Sequence, residues 1–144
     1  MIKFRRVFFT DIVHCSENAA PIFQGEDTYN NFTKEWEKHH EGYTLYTQED
    51  GVIGVVTVAK EDDGCDVVAI FTPLIHKYPI SFVRTMKHLL TLAQSLHKCY
   101  KLTFLIKAGF VDTDKYAKTL GFVYRDENIF EDADGNKYIC YWRE

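Results

Sequence analysis

Asp66 to Phe122, opening DVVAIFTPLIHKYPISFVRTMKHLLTLAQSLHKCYKLTFLI, decides the fold. Val67, Val68, Ala69, Ile70 and Phe71 form an unbroken apolar run, and Leu102 to Ile106 forms a second with Thr103 inside it. Runs of this kind, with no polar alternation, suit central strands buried on both faces. Between them, Phe82, Val83, Met86, Leu89, Leu90, Ala93 and Leu96 recur at the spacing of one helical face, so a helix is predicted from Pro79 to Lys98. Arg84, Lys87, His88, Thr91, Gln94 and Ser95 fall on its other face. Pro79 loses no bonded amide at a helix start, and the Ser81 hydroxyl can bond a free one. A strand, a helix and a second buried strand make a parallel crossover, which is right-handed in nearly all known cases. The helix N-terminus then points out of the carboxyl end of the first strand, where free amides and the helix dipole favour an anion. Chemistry is expected there.

The rest of the composition narrows the class. The 144 residues, 46% hydrophobic and 15% aromatic, are the length of one domain with one core, spanning 1–144. A formal charge of −4 and a pI near 5.9 give no general attraction to nucleic acid, although Lys3, Arg5 and Arg6 cluster at the start. Cys15, Cys65, Cys99 and Cys140 form no CxxC pair, so no metal site is indicated, and they read as four free thiols in a reducing compartment. There is no secretory apolar segment and no run near the roughly 18 residues that cross a bilayer. A soluble cytoplasmic protein is expected, or one assembled inside a cell.

Taken in order, Lys3 to Phe9 reads as an outer strand, with Thr10-Asp11 as a helix cap. Val13 to Glu26 reads as a short helix followed by an irregular loop. Thr28 to His40 places Tyr29, Phe32 and Trp36 on one helical side. Tyr43 to Gln48 and Val52 to Lys60 form a hairpin across Glu49-Asp50-Gly51, and Cys65 to Phe71 is the third antiparallel partner after the turn at Glu61 to Gly64. After the crossover, Asp112 to Leu120 reads as a short helix ended by a left-handed Gly121. Val123 to Asp126 and Lys137 to Trp142 then close a hairpin across Asp132 to Asn136. The expected fold is mixed α/β: a twisted, mostly antiparallel sheet of six or seven strands, one parallel step in the middle, helices on both faces.

This order, with Tyr-Ala-Lys-Thr-Leu-Gly-Phe at Tyr116 to Phe122, resembles the GNAT superfamily of acetyl-CoA-dependent N-acyltransferases over most of the chain. The resemblance implies that the strand at Val67 to Thr72 splays from the one at Leu102 to Lys107. It also implies acetyl-CoA as cofactor, no metal, and transfer of an acyl group to an amine. Ile70, Phe71 and Thr72 would line the pantetheine. Lys77, Tyr78 and Ser81, in the loop before the long helix, would meet the pyrophosphate. That loop, His76 to Ser81, lacks the family's glycines, which let backbone wrap a phosphate, and its proline removes one amide. The family's acid, a tyrosine four residues before the Gly of Gly-Phe, is here Ala117. Tyr116, about 100° around the helix, is the candidate in its place. His76, beside the expected acyl site and carrying an imidazole that can accept a proton, is the candidate general base.

A second group with the same outline, the GNAT-like proteins of tailed bacteriophages, some of them virion components, also has an eroded glycine cradle and terminal tyrosine. It implies a binding protein without chemistry, with a protein partner or a second copy of the chain in place of acyl-CoA and amine. Other constellations are weaker. His39-His40 point about 100° apart on a helix with no third ligand, and His14-Cys15 lacks an orienting group. Asp132, Asp134 and Asn136 lack the bidentate Glu of a calcium loop. The aromatics from Phe110 to Trp142 read as core or as a partner surface.

Overall fold

The computed structural model describes residues 1–24, 26–39, 41–61, 64–99, 101–107, 115, 117–131 and 137–143. Seven strands form one sheet: β1 (Lys3–Arg6), β2 (Tyr43–Thr47), β3 (Gly51–Glu61), β4 (Gly64–Phe71), β5 (Leu102–Lys107), β6 (Val123–Glu131) and β7 (Lys137–Arg143), in the order β1-β2-β3-β4-β5-β7-β6. Every neighbouring pair is antiparallel except β4–β5, which is parallel. β4 and β5 are joined by α3 (Pro79–His97), so the predicted crossover sits at the centre of the sheet. α1 (Phe9–Glu17) and α2 (Glu26–His39) precede β2.

The sheet separates two cores. On one face Val67, Ala69 and Phe71 of β4 meet Phe82, Met86, Leu89, Leu90 and Ala93 of α3, all buried. On the other, Ile70 and Val55 meet Ile12, Cys15 and Phe32 of α1 and α2. This two-sided burial is why β4 carries no polar alternation. Leu96 departs from the expected face: it is 69% exposed, and α3 ends one residue later with Lys98 in the left-handed conformation.

The first strand is shorter than Lys3 to Phe9 because α1 already begins at Phe9. Asp11 does not stand at the cap position but three residues into the helix, where its carboxylate accepts the Phe8 N–H at 2.9 Å. Ser81 does not cap α3; its hydroxyl oxygen accepts the Ile2 N–H at 2.8 Å, and Thr85 donates to the Ile2 carbonyl at 3.3 Å. The expectation of four free thiols fails as well. Cys65, at the start of β4, is disulfide-bonded to Cys99, just past α3, with Cα atoms 6.0 Å apart. Parallel pairing of β4 with β5 brings the two ends of the crossover together, a proximity that a 34-residue separation hides. Cys15 is a free thiol, buried, its pKa pushed up to about 12 by burial and then by the charge of Asp11.

The closing hairpin has a longer first strand than Val123 to Asp126, and its turn, 132–136, lies outside the described residues. Residues 117–119 are helical, Gly121 follows with φ +92°, and the Phe122 N–H donates back to the Ala117 carbonyl at 2.9 Å.

Candidate active site

The parallel ladder is short. Cys65↔Leu102, Asp66↔Thr103 and Val67↔Phe104 are in register, and beyond them β4 and β5 part. Hydrogen bonds fix which groups of β4 face the resulting slot. The Thr72 N–H donates to the Ile53 carbonyl at 3.0 Å on the β3 side, whereas the Cys65 N–H donates to the Lys101 carbonyl at 2.9 Å on the β5 side. Strand alternation therefore turns the amides of Ala69 and Phe71 toward β5, past the point where its ladder has ended. The Phe71 carbonyl, on the same edge, accepts the Ala20 N–H at 2.8 Å.

The expected slot residues divide on this geometry. Phe71 presents its backbone to the slot. Ile70 turns its side chain into the α1–α2 core, and its amide runs toward β3. Thr72 is buried, with its hydroxyl donating to the Ile53 carbonyl at 3.0 Å, so amide and side chain both serve the β3 contact. Ala69 was missed because an alanine within an apolar run carries no chemical signal; only the register picks it out.

At the start of α3 the first-turn amides that no helical carbonyl reaches are those of Ile80 and Ser81. Pro79 has none, and that of Phe82 donates to the Tyr78 carbonyl at 2.8 Å. Lys77 Nζ lies 2.9 Å from Asp50 Oδ2, and the Tyr78 hydroxyl donates to the same carboxylate. Those contacts hold the Asp50 carboxyl below its usual range, Tyr78 first and Lys77 second, and hold the Lys77 ammonium above its own. Lys77 and Tyr78 thus fasten the β2–β3 turn to the loop, and Ser81 fastens the N-terminus.

His76 is exposed on the 3-10 turn Pro73–Lys77 and lines a groove of about 620 Å³. Pro79, Ile80 and Val83 supply its apolar side, and Arg84, Lys87, Lys115 and Thr119 its polar one. The groove runs between the first turns of α3 and the helical residues before Gly121. The three cations went unassigned in the sequence because two sit on the solvent side of α3 and the third on a separate segment. Tyr116 lies outside the described residues; Ala117 beside it is buried in the α3 core. Among the described residues, His14 is exposed while Cys15 is buried, so they make no dyad. His40 and 132–136 lie outside them. No cluster of three His, Cys, Asp or Glu side chains that could hold a metal occurs among the described residues, and no described helix is long and apolar enough to cross a membrane.

No protein-family model matches the chain, and no curated protein matches it in sequence. Solved structures do match in fold. The ribosomal-protein-S18-alanine N-acetyltransferase from Escherichia coli superposes with a TM-score of 0.72 at 15% identity, over 99% of this chain and 93% of that one. The spermidine N-acetyltransferase from Vibrio cholerae in complex with CoA and spermine gives 0.67 at 14% identity, over 98% and 94%. At these identities the likeness is one of architecture, and with the central parallel pair, its early divergence and the helix-Gly-Phe ending it establishes that this chain has the GNAT fold.

Proposed function

We propose that the chain is an acyl-CoA-dependent N-acyltransferase whose slot between β4 and β5 receives the thioester arm. The observation that carries this reading is the lapse of the parallel ladder after Val67↔Phe104, which leaves the Ala69 and Phe71 amides facing a gap beside a cation-lined groove. The fit to the cofactor differs from the family's usual one. With no glycine cradle and Lys77 held by Asp50, the phosphates are assigned to Arg84, Lys87 and Lys115, together with the Ile80 and Ser81 amides. The V. cholerae neighbour, solved in complex with CoA, supports CoA as the cofactor class.

Acyl-CoA supplies the acyl group in activated form. The Ala69 and Phe71 amides then act on a carbonyl placed in the slot, as fixed donors that need no reorganisation. His76, on the groove rim, is assigned to take the proton from the attacking amine, and Tyr116 to return one to the departing sulfur. The amine itself is of a class the neighbours illustrate, a polyamine or an alanine of a protein.

A second reading, a GNAT-shaped binding protein without chemistry that holds a protein partner, is favoured by one observation: the loop cation is already neutralised by Asp50. Isothermal titration with acetyl-CoA separates the two. Micromolar affinity supports the transferase, and silence at millimolar ligand supports the binding protein.

A further inference from the structure

We propose that Phe23 limits the length of the acyl group, admitting short chains and turning away long ones; this rests on reading the β4–β5 slot as an acyl-CoA site. The 3-10 turn Pro21–Phe23, between α1 and α2, lies against both β4 and β5. The Ala20 N–H, bonded to the Phe71 carbonyl at 2.8 Å, ties that turn to the slot edge of β4. Among the described residues, Phe23 alone packs as a half-buried side chain against both cores, the one under α3 and the one under α1 and α2. Strand backbone separates those cores everywhere that the ladder is continuous. A ring that touches both therefore stands in the break between β4 and β5.

The wall behind Phe23 cannot give way. Its ring meets that of Phe71 edge-on, centroids 5.3 Å apart, and Phe71 meets Phe82 edge-on at 5.0 Å. On its remaining side Phe71 presses against Gly54, where a Cβ would fall 2.4 Å from the Phe71 ring. The cation-lined groove opens beside the first turns of α3, so a thioester that enters the break from it directs its acyl group toward the paired rings of Phe23 and Phe71. An acetyl methyl ends short of the ring. Each further methylene must displace a side chain held by packing on two faces.

Isothermal titration of the native chain with CoA, acetyl-CoA and hexanoyl-CoA tests this, repeated for Phe23→Ala and Phe23→Leu. Native protein is expected to bind acetyl-CoA at least about tenfold more tightly than hexanoyl-CoA, and Phe23→Ala to bring the ratio within about threefold through a gain in hexanoyl-CoA affinity, with Phe23→Leu between them. If Phe23→Ala does not fold, Phe23→Leu carries the comparison. Equal native affinities, or a ratio that neither variant moves, overturn the acyl limit alone. Failure of CoA itself to bind overturns the acyl-CoA reading and the limit with it.

Discussion

Lys77 and Arg84 are both cations near the start of α3, but their surroundings give them different work. Lys77 is the residue that the sequence recommends, since it stands in the loop where phosphate is expected. Asp50 is 27 residues earlier and reaches it only because the β2–β3 turn packs at the same end of the sheet. Glu substitutions should therefore rank in reverse of the sequence expectation: Arg84→Glu and Lys87→Glu each weaken CoA binding about tenfold, the loss of one charge-assisted contact, and Lys77→Glu weakens it less. Titration of the three variants checks the order. Asp11 offers a structural counterpart. Burial alone would push its carboxyl up, but Arg5, at 2.8 and 3.0 Å, the Phe8 amide and the Thr44 hydroxyl outweigh that and hold it below its ordinary 3.8. A folded-state pKa below the unfolded one stabilises the protein above about pH 4 and ceases to do so as pH falls through the lower value. Asp11→Ala, which strands the guanidinium and two donors, should cost about 2–4 kcal/mol at pH 7, and the cost should shrink as pH falls through the lowered value, as denaturant titrations along a descending pH series would read.

At the scale of elements, what the sequence made legible was what hydrophobic periodicity encodes. β4, α3 and β5 lie where their apolar runs place them, because burial on both faces or on one helical stripe leaves a pattern in adjacent residues. Contacts between distant segments leave none. The turn Pro21–Phe23 falls in a stretch without period, so its place across the slot was unreadable although Phe23 is a conspicuous aromatic. The Cys65–Cys99 bond was hidden for the same reason, and spacing rules built on CxxC argued against it. Closing a loop of 34 residues should stabilise the fold by about 3–4 kcal/mol on the chain-entropy estimate. Reduction, or Cys99→Ser, should shift the denaturation midpoint down by a corresponding amount, and a peptide map without reductant should recover the two cysteines linked. An unlinked pair, or an unmoved midpoint, would remove the bond from the account of α3's anchoring.

For the whole molecule, the sheet is two antiparallel halves, β1-β2-β3-β4 and β5-β7-β6, joined by three register pairs, the α3 core and one disulfide. The seam is the weakest line in the sheet, since the slot forgoes the ladder bonds that a continuous parallel pair would make there. A ligand that bonds to the Ala69 and Phe71 amides while its phosphates sit on α3 replaces part of what was forgone and ties the halves together. Mass action then sets the gain: at a hundred times its dissociation constant, a ligand of the native state adds about 2.7 kcal/mol. For 144 residues that corresponds to roughly 9 °C in Tm. Gly54→Ala, whose methyl would displace Phe71 and narrow the slot, should lower the unliganded Tm and also shrink the increment that acetyl-CoA brings. Thermal melts with and without acetyl-CoA read both effects at once. An increment equal in native and variant protein would mean that the ligand is held outside the seam. Slowed amide exchange at 69–71 on addition of ligand would locate it within.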